Sequence, residues 1–166
     1  MHKFERCIKK EKGFTLIEII SAIFVFTVGI LAIMMLIDKN IILNNQTKSK
    51  LIAAYIAQEG IEIVRNIRDS NWIAKNPWDQ GLSVGECYEI DYQGTSLSPC
   101  LGNYLNIDSN GFYSYSVGTP TKFKRKIIIS DKTSNPPRMK ITSRVDWEIK
   151  GKPYNIEIVE YLYNWK

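Results

Sequence analysis

From Phe14 to Ile37 the chain runs for 24 residues without Lys, Arg, Asp, Asn or Pro, broken only by Thr15, Glu18, Ser21, Thr27 and Gly29. As an α-helix that run covers about 36 Å, enough to cross a hydrocarbon core roughly 30 Å thick. A helix packed on a soluble core keeps one polar face, and this one has none. The run is therefore expected to span a membrane. Mean hydropathy is only −0.18 although 45% of residues are hydrophobic, so the apolar character is concentrated in this stretch. The 166 residues leave room for one globular domain beside it.

The formal charge of +5 is just as unevenly placed. Residues 1–13 hold Lys3, Arg6, Lys9, Lys10 and Lys12 against Glu5 and Glu11, a net +3. Basic residues before a span keep the N-terminus in the cytoplasm, which places everything after Asp38 on the other side of the inner or plasma membrane. A cleaved secretory signal has the same order of charge and grease. Its apolar part is only about 7–15 residues and ends in small residues, whereas this run ends in "MMLIDKN".

"KGFTLIE" sets a glycine directly before the apolar run and a glutamate five residues after that glycine. The stretch resembles the N-terminal motif of type IV prepilins and of the pseudopilins of type II secretion. The resemblance implies a leader of residues 1–13, cut by a prepilin peptidase between Gly13 and Phe14, with N-methylation of the new Phe14 amino terminus. It also implies a helix of residues 14–37 that leaves membrane lipid to join other pilin or pseudopilin subunits in a fibre at the cell surface. No proline occurs between Phe14 and Ile67, where many major pilins have one. The chain is in this respect more similar to the minor-pilin and pseudopilin branch.

Glu18 has two readings at this point. Four residues beyond Phe14, about 6 Å of rise, its carboxylate can simply reach the headgroups. Alternatively, it neutralises the Phe14 amine of an adjacent subunit, an attraction strengthened by the low dielectric around both charges, and so sets the axial register. The resemblance implies the second, an assembly contact.

The helical pattern continues through residues 38–70. "LIAAYIAQEGIEIVRNIRDSNW" keeps Ile52, Ile56, Ile63 and Ile67 near one face, which predicts a single helix of roughly 55 residues ending near "DSNW". Gly60 inside it is either a tolerated defect or a point where a strand comes close. Residues 71–166 then change to a period of two. "RMKITSRVDWEIK" alternates Met139, Ile141, Val145, Trp147 and Ile149 with polar residues, and "YNIEIVEYLYNW" follows as its hairpin partner. "TKFKRKIIIS" is expected as a third strand, and "CYEIDY" and "GFYSYS" as shorter ones. The fold class is α+β and pilin-like: a long N-terminal helix, its first half transmembrane, packed on a C-terminal antiparallel sheet of three to five strands.

Of three cysteines, Cys7 falls in the leader, leaving Cys87 and Cys100 around the 14-residue stretch "CYEIDYQGTSLSPC". In an oxidising location they are expected to form a disulfide rather than a metal pair, because no histidine lies nearby. The single histidine, His2, is also in the leader. No phosphate-binding loop, nucleophile elbow or zinc-protease pattern occurs, and Glu86, Glu89 and Asp91 are spaced as solvated carboxylates are. The sequence calls for no enzyme and no cofactor. A runner-up function is an anchored adhesin or receptor domain that never polymerises. "KFKRK", with Lys122, Lys124, Arg125 and Lys126 near Phe123, Tyr113 and Tyr115, reads either as an edge strand guarded by lysines or as a ladder for single-stranded nucleic acid.

Overall fold

The computed structural model describes residues 13–164, apart from the side chain of Glu86. His2, Cys7 and the leader charges lie outside the described residues. The chain divides into two compact units, residues 1–45 and 46–166. One helix, α1, runs Leu16–Ile73 and contributes to both.

In the first unit every side chain from Gly13 to Asn45 is exposed. The helix passes through Gly29 without a break, and a Cβ there would touch nothing. Its two hydroxyls turn back on the helix: Ser21 donates to the Ile17 carbonyl (2.6 Å) and Thr27 to that of Ile23 (2.7 Å). No polar hydrogen of either is left for an apolar surrounding to desolvate.

In the second unit the sheet is built from β1 (Gly85–Glu89), β2 (Ser98–Pro99), β6 (Lys124–Ser134), β7 (Pro137–Ile149) and β8 (Lys152–Tyr163). All pairs are antiparallel, in the order β2-β1-β6-β7-β8. A small second sheet joins β3 (Asn106–Ile107), β4 (Tyr113–Ser114) and β5 (Thr119–Pro120) in the order β4-β3-β5. The expected hairpin is β7–β8, turned at Lys150 and Gly151, both with positive φ, and registered with Val145 opposite Ile156 and Ile141 opposite Glu160.

Alternation decides which face of the sheet meets α1. Met139, Ile141, Ser143, Val145 and Trp147 are buried along β7, as are Arg125, Ile127 and Ile129 along β6. Against them pack Ala53, Ile56, Ala57, Ile61 and Val64 of the helix. Fully burying an Ile or Val side chain stabilises by about 1.5–3 kcal/mol, so this seam supplies much of the drive to fold. Gly60 stands in the middle of it, where a Cβ would meet Ser143 Oγ at 2.5 Å and Ile127 Cδ1 at 2.8 Å. The close approach of a strand, and not a tolerated defect, explains the glycine. It also explains a serine in the apolar row of β7.

The helix stops with a left-handed residue, Lys75, at φ 58°. The Asn76 N–H donates to the Asn71 carbonyl (2.9 Å) and the Lys75 N–H to that of Trp72 (3.1 Å), a paired closure that satisfies the last carbonyls. Asn71 Nδ2 then donates to the Trp78 and Gln80 carbonyls, tying the following loop to the helix end.

Candidate functional site

The residues singled out for processing and assembly sit together at the start of α1. Gly13 precedes the helix and a Cβ on it would find nothing within 4 Å. Phe14 is 79% exposed. Thr15 is the N-cap: its hydroxyl accepts the Glu18 N–H (3.3 Å), while its carbonyl accepts those of Glu18 (3.1 Å) and Ile19 (3.2 Å). Glu18 is thus the third helical residue, and Thr15-Leu16-Ile17-Glu18 has the form of a capping box. That T-x-x-E spacing was visible in the sequence and gives Glu18 a local role beside any intermolecular one, since a carboxylate in the first turn also complements the helix dipole.

Behind this start lies the apolar half of the helix. Among the described residues it is the one segment long and apolar enough to cross a membrane, with a mean hydropathy of 2.8 over 18 residues and none of that window buried. Soluble monomers rarely expose apolar patches beyond a few hundred Å². Such a segment fits a membrane-anchored helix.

Cys87 and Cys100 are joined by a disulfide, with Cα atoms 5.4 Å apart. The bond ties β1 to the residue that follows β2, and the Cys100 N–H also donates to the Cys87 carbonyl. Glu89 lies next to it, buried, and accepts the backbone N–H groups of Gly102 (2.8 Å) and Asn103 (3.2 Å). It works as a structural clamp on the 100–103 loop.

The basic run departs from both expectations held for it. β6 lies inside the sheet, between β1 and β7, so it is not a guarded edge strand. Nor do Lys122, Lys124, Arg125 and Lys126 form one ladder. Arg125 is 2% exposed and points to α1, where its guanidinium donates to the carbonyls of Ile56 (3.2 Å) and Ile90 (2.6 Å) and lies 3.5 Å from Glu59. Burial raises the Glu59 carboxyl above its ordinary range, against the pull of Arg125. Phe123 is buried as well, and Tyr115 gives its hydroxyl to the Arg125 carbonyl (3.0 Å). Of the stacking groups named, Phe123 is buried and both Tyr113 and Tyr115 are half-buried against the same cluster. Lys124 faces the other way, with its amine 4.3 Å above the Tyr104 ring. The signal was parity: in a strand, Arg125 shares a face with Phe123, Ile127 and Ile129.

Among the described residues, no three or more His, Cys, Asp or Glu side chains come together as a metal-binding group. No curated protein and no solved structure matches the chain. Residues 8–34 match the family model described as the prokaryotic N-terminal methylation motif, and with it the chain carries the signature of type IV pilins and pseudopilins.

Proposed function

We propose that the protein is a minor pilin or pseudopilin, a structural subunit rather than an enzyme. A prepilin peptidase removes residues 1–13, cutting between Gly13 and Phe14, and the Phe14 amine is methylated. The mature chain waits in the inner or plasma membrane with its sheet domain on the extracytoplasmic side. It then enters a type IV pilus or a type II secretion pseudopilus through α1. Glu18 of one subunit meets the Phe14 amine of the next. The observation that carries this reading is the methylation motif over residues 8–34, placed directly on an apolar helix whose most apolar stretch has no buried residue among the described ones.

Two physical points support the order of events. Removing a +3 leader releases the helix start from the cytoplasmic face and creates one new cation there. Gly13, with no side chain, lets an extended backbone enter a protease cleft.

Mass spectrometry of the mature N-terminus is the test. A chain beginning at methylated Phe14 is the expected result, and an intact Met1 would reduce the protein to a membrane-anchored domain that does not polymerise.

A further inference from the structure

The end of the second unit where its helix begins is unusually basic. Lys48 and Lys50 lie on the first turns of that helix segment, and the β7–β8 hairpin, which turns at Lys150 and Gly151, reaches Lys50 through Ile149, the residue paired with Lys152. A cavity of about 320 Å³ lined by Gln46, Thr47, Lys50, Ile149, Tyr154 and Asn155 marks where the two meet. Gln46 Nε2 also donates to the Tyr154 hydroxyl (3.3 Å). Lys122 joins the same end by donating to Ser49 Oγ (2.7 Å). Five lysines are thus gathered here against Glu148, because neighbouring Asp146 is already paired with Arg144 (2.8 Å).

The opposite end of the unit is arranged differently. There Lys132 pairs with Asp79 (2.6 Å), Arg138 with Asp131 (3.8 Å) and Arg68 with Asp69 (2.8 Å). Among the described residues, none of Lys48, Lys50, Lys122, Lys150 and Lys152 is in an ion pair. Unpaired like charges gathered at one end repel each other unless something anionic faces them.

Chain connection alone limits what that can be. Only residues 38–45 separate Ile37, the last residue of the apolar run, from Gln46. Eight helical residues rise about 12 Å against a headgroup layer of roughly 5–8 Å, so Gln46 follows within a long lysine side chain's reach of the lipid phosphates. We infer that this lysine end is a docking surface for anionic lipid headgroups, which holds the sheet domain on the bilayer before the subunit is withdrawn. Phosphate groups supply the missing negative charge, and compact ammonium groups on long stems suit a fluid, unpatterned anionic layer. The inference rests on the membrane reading of residues 14–37.

The experiment uses the full chain in lipid nanodiscs of phosphatidylcholine alone or with roughly 30% phosphatidylglycerol, a strongly anionic surface. Lysine acetylation rates are read by mass spectrometry. Lys48, Lys50, Lys150 and Lys152 are expected to react about threefold slower in the anionic discs, with Lys75 and Lys132 unchanged. Salt of about 0.5 M, which shortens screening to a few Å, is expected to restore the rates. Equal rates in both discs overturn the inference. The double variant Lys150→Glu, Lys152→Glu separates docking from mere nearness: protection of Lys48 and Lys50 disappears if the end docks as one surface, and its persistence overturns the proposal. A chain that alkaline carbonate strips from the discs fails the membrane reading itself, and the inference with it.

Discussion

Gly60 and Ser143 lie so close that a single added methyl group would sit 2.5 Å from the serine hydroxyl oxygen. That oxygen is buried and has no hydrogen-bond partner. Arg125 Cδ is 3.1 Å from the same point, so the helix is seated on the sheet at a place where neither side has slack.

Gly60→Ala therefore sets two effects against each other. Helix propensity gains about 1 kcal/mol, and overpacking costs about 1–3 kcal/mol. Packing wins, with an expected net loss of about 1 kcal/mol in urea unfolding. In a Ser143→Ala background the loss is expected to shrink, because the nearest atom is gone. Strict additivity of the two changes would show that the contact is not the cause.

Arg125→Ala is expected to destabilise by about 3–5 kcal/mol, since it removes a buried cation from the carbonyls of Ile56 and Ile90 and leaves Glu59 without its counter-charge. Lys124→Ala, on the opposite face, is expected to stay within about 0.5 kcal/mol of the wild type. Similar unfolding midpoints for the two variants would contradict the assignment of faces.

Tyr115 supplies a pH signature. Burial pushes its phenol up to about 12 from an ordinary value of 10.0. The folded state holds the proton more tightly than the unfolded one, so this contribution to stability is complete below pH 10 and is lost as pH rises towards 12. Unfolding midpoints of the wild type are expected to fall between these values, and Tyr115→Phe is expected to flatten the fall. An unchanged slope in the variant would assign the alkaline loss to other groups.

Thr15 and Glu18 can be separated. If Glu18 served only to cap the helix, Thr15→Ala and Glu18→Ala would harm assembly equally. The register role predicts instead that Thr15→Ala leaves incorporation into fibres nearly intact, while Glu18→Ala abolishes it with membrane insertion unchanged. Fractionation of sheared fibres against membranes measures both.

The Cys87–Cys100 bond closes a short loop, and replacing both cysteines by serine is expected to cost about 3 kcal/mol on the chain-entropy account. Thermal unfolding of the paired variant checks it, and a loss below about 1 kcal/mol would mean that the Glu89 clamp already holds the 100–103 loop.

What the sequence revealed follows from how strongly each pattern is repeated. The apolar run, the continuous helix and the β7–β8 hairpin each rest on many residues that agree, and all three were legible. β6 was read by its charge instead of its parity, so Arg125 was assigned to a surface that it does not share with Lys124. Ser143 fell in an apolar row and gave no hint of Gly60, because that contact joins positions far apart in the chain. Strands of two residues, such as β2, β3 and β5, are too short to carry any period. The N-cap at Thr15 is legible in the T-x-x-E spacing to Glu18, a signal independent of the carboxylate's charge.

The hydroxyls of Ser21 and Thr27 close onto carbonyls of their own helix. A transfer from acyl chains to a bundle of neighbouring helices would thus leave their hydrogen bonding untouched in either direction. Under the proposed function the choice between the two surroundings would then fall to surface shape and to a lone anion near one tip, as would suit a rod that changes company without first being wetted.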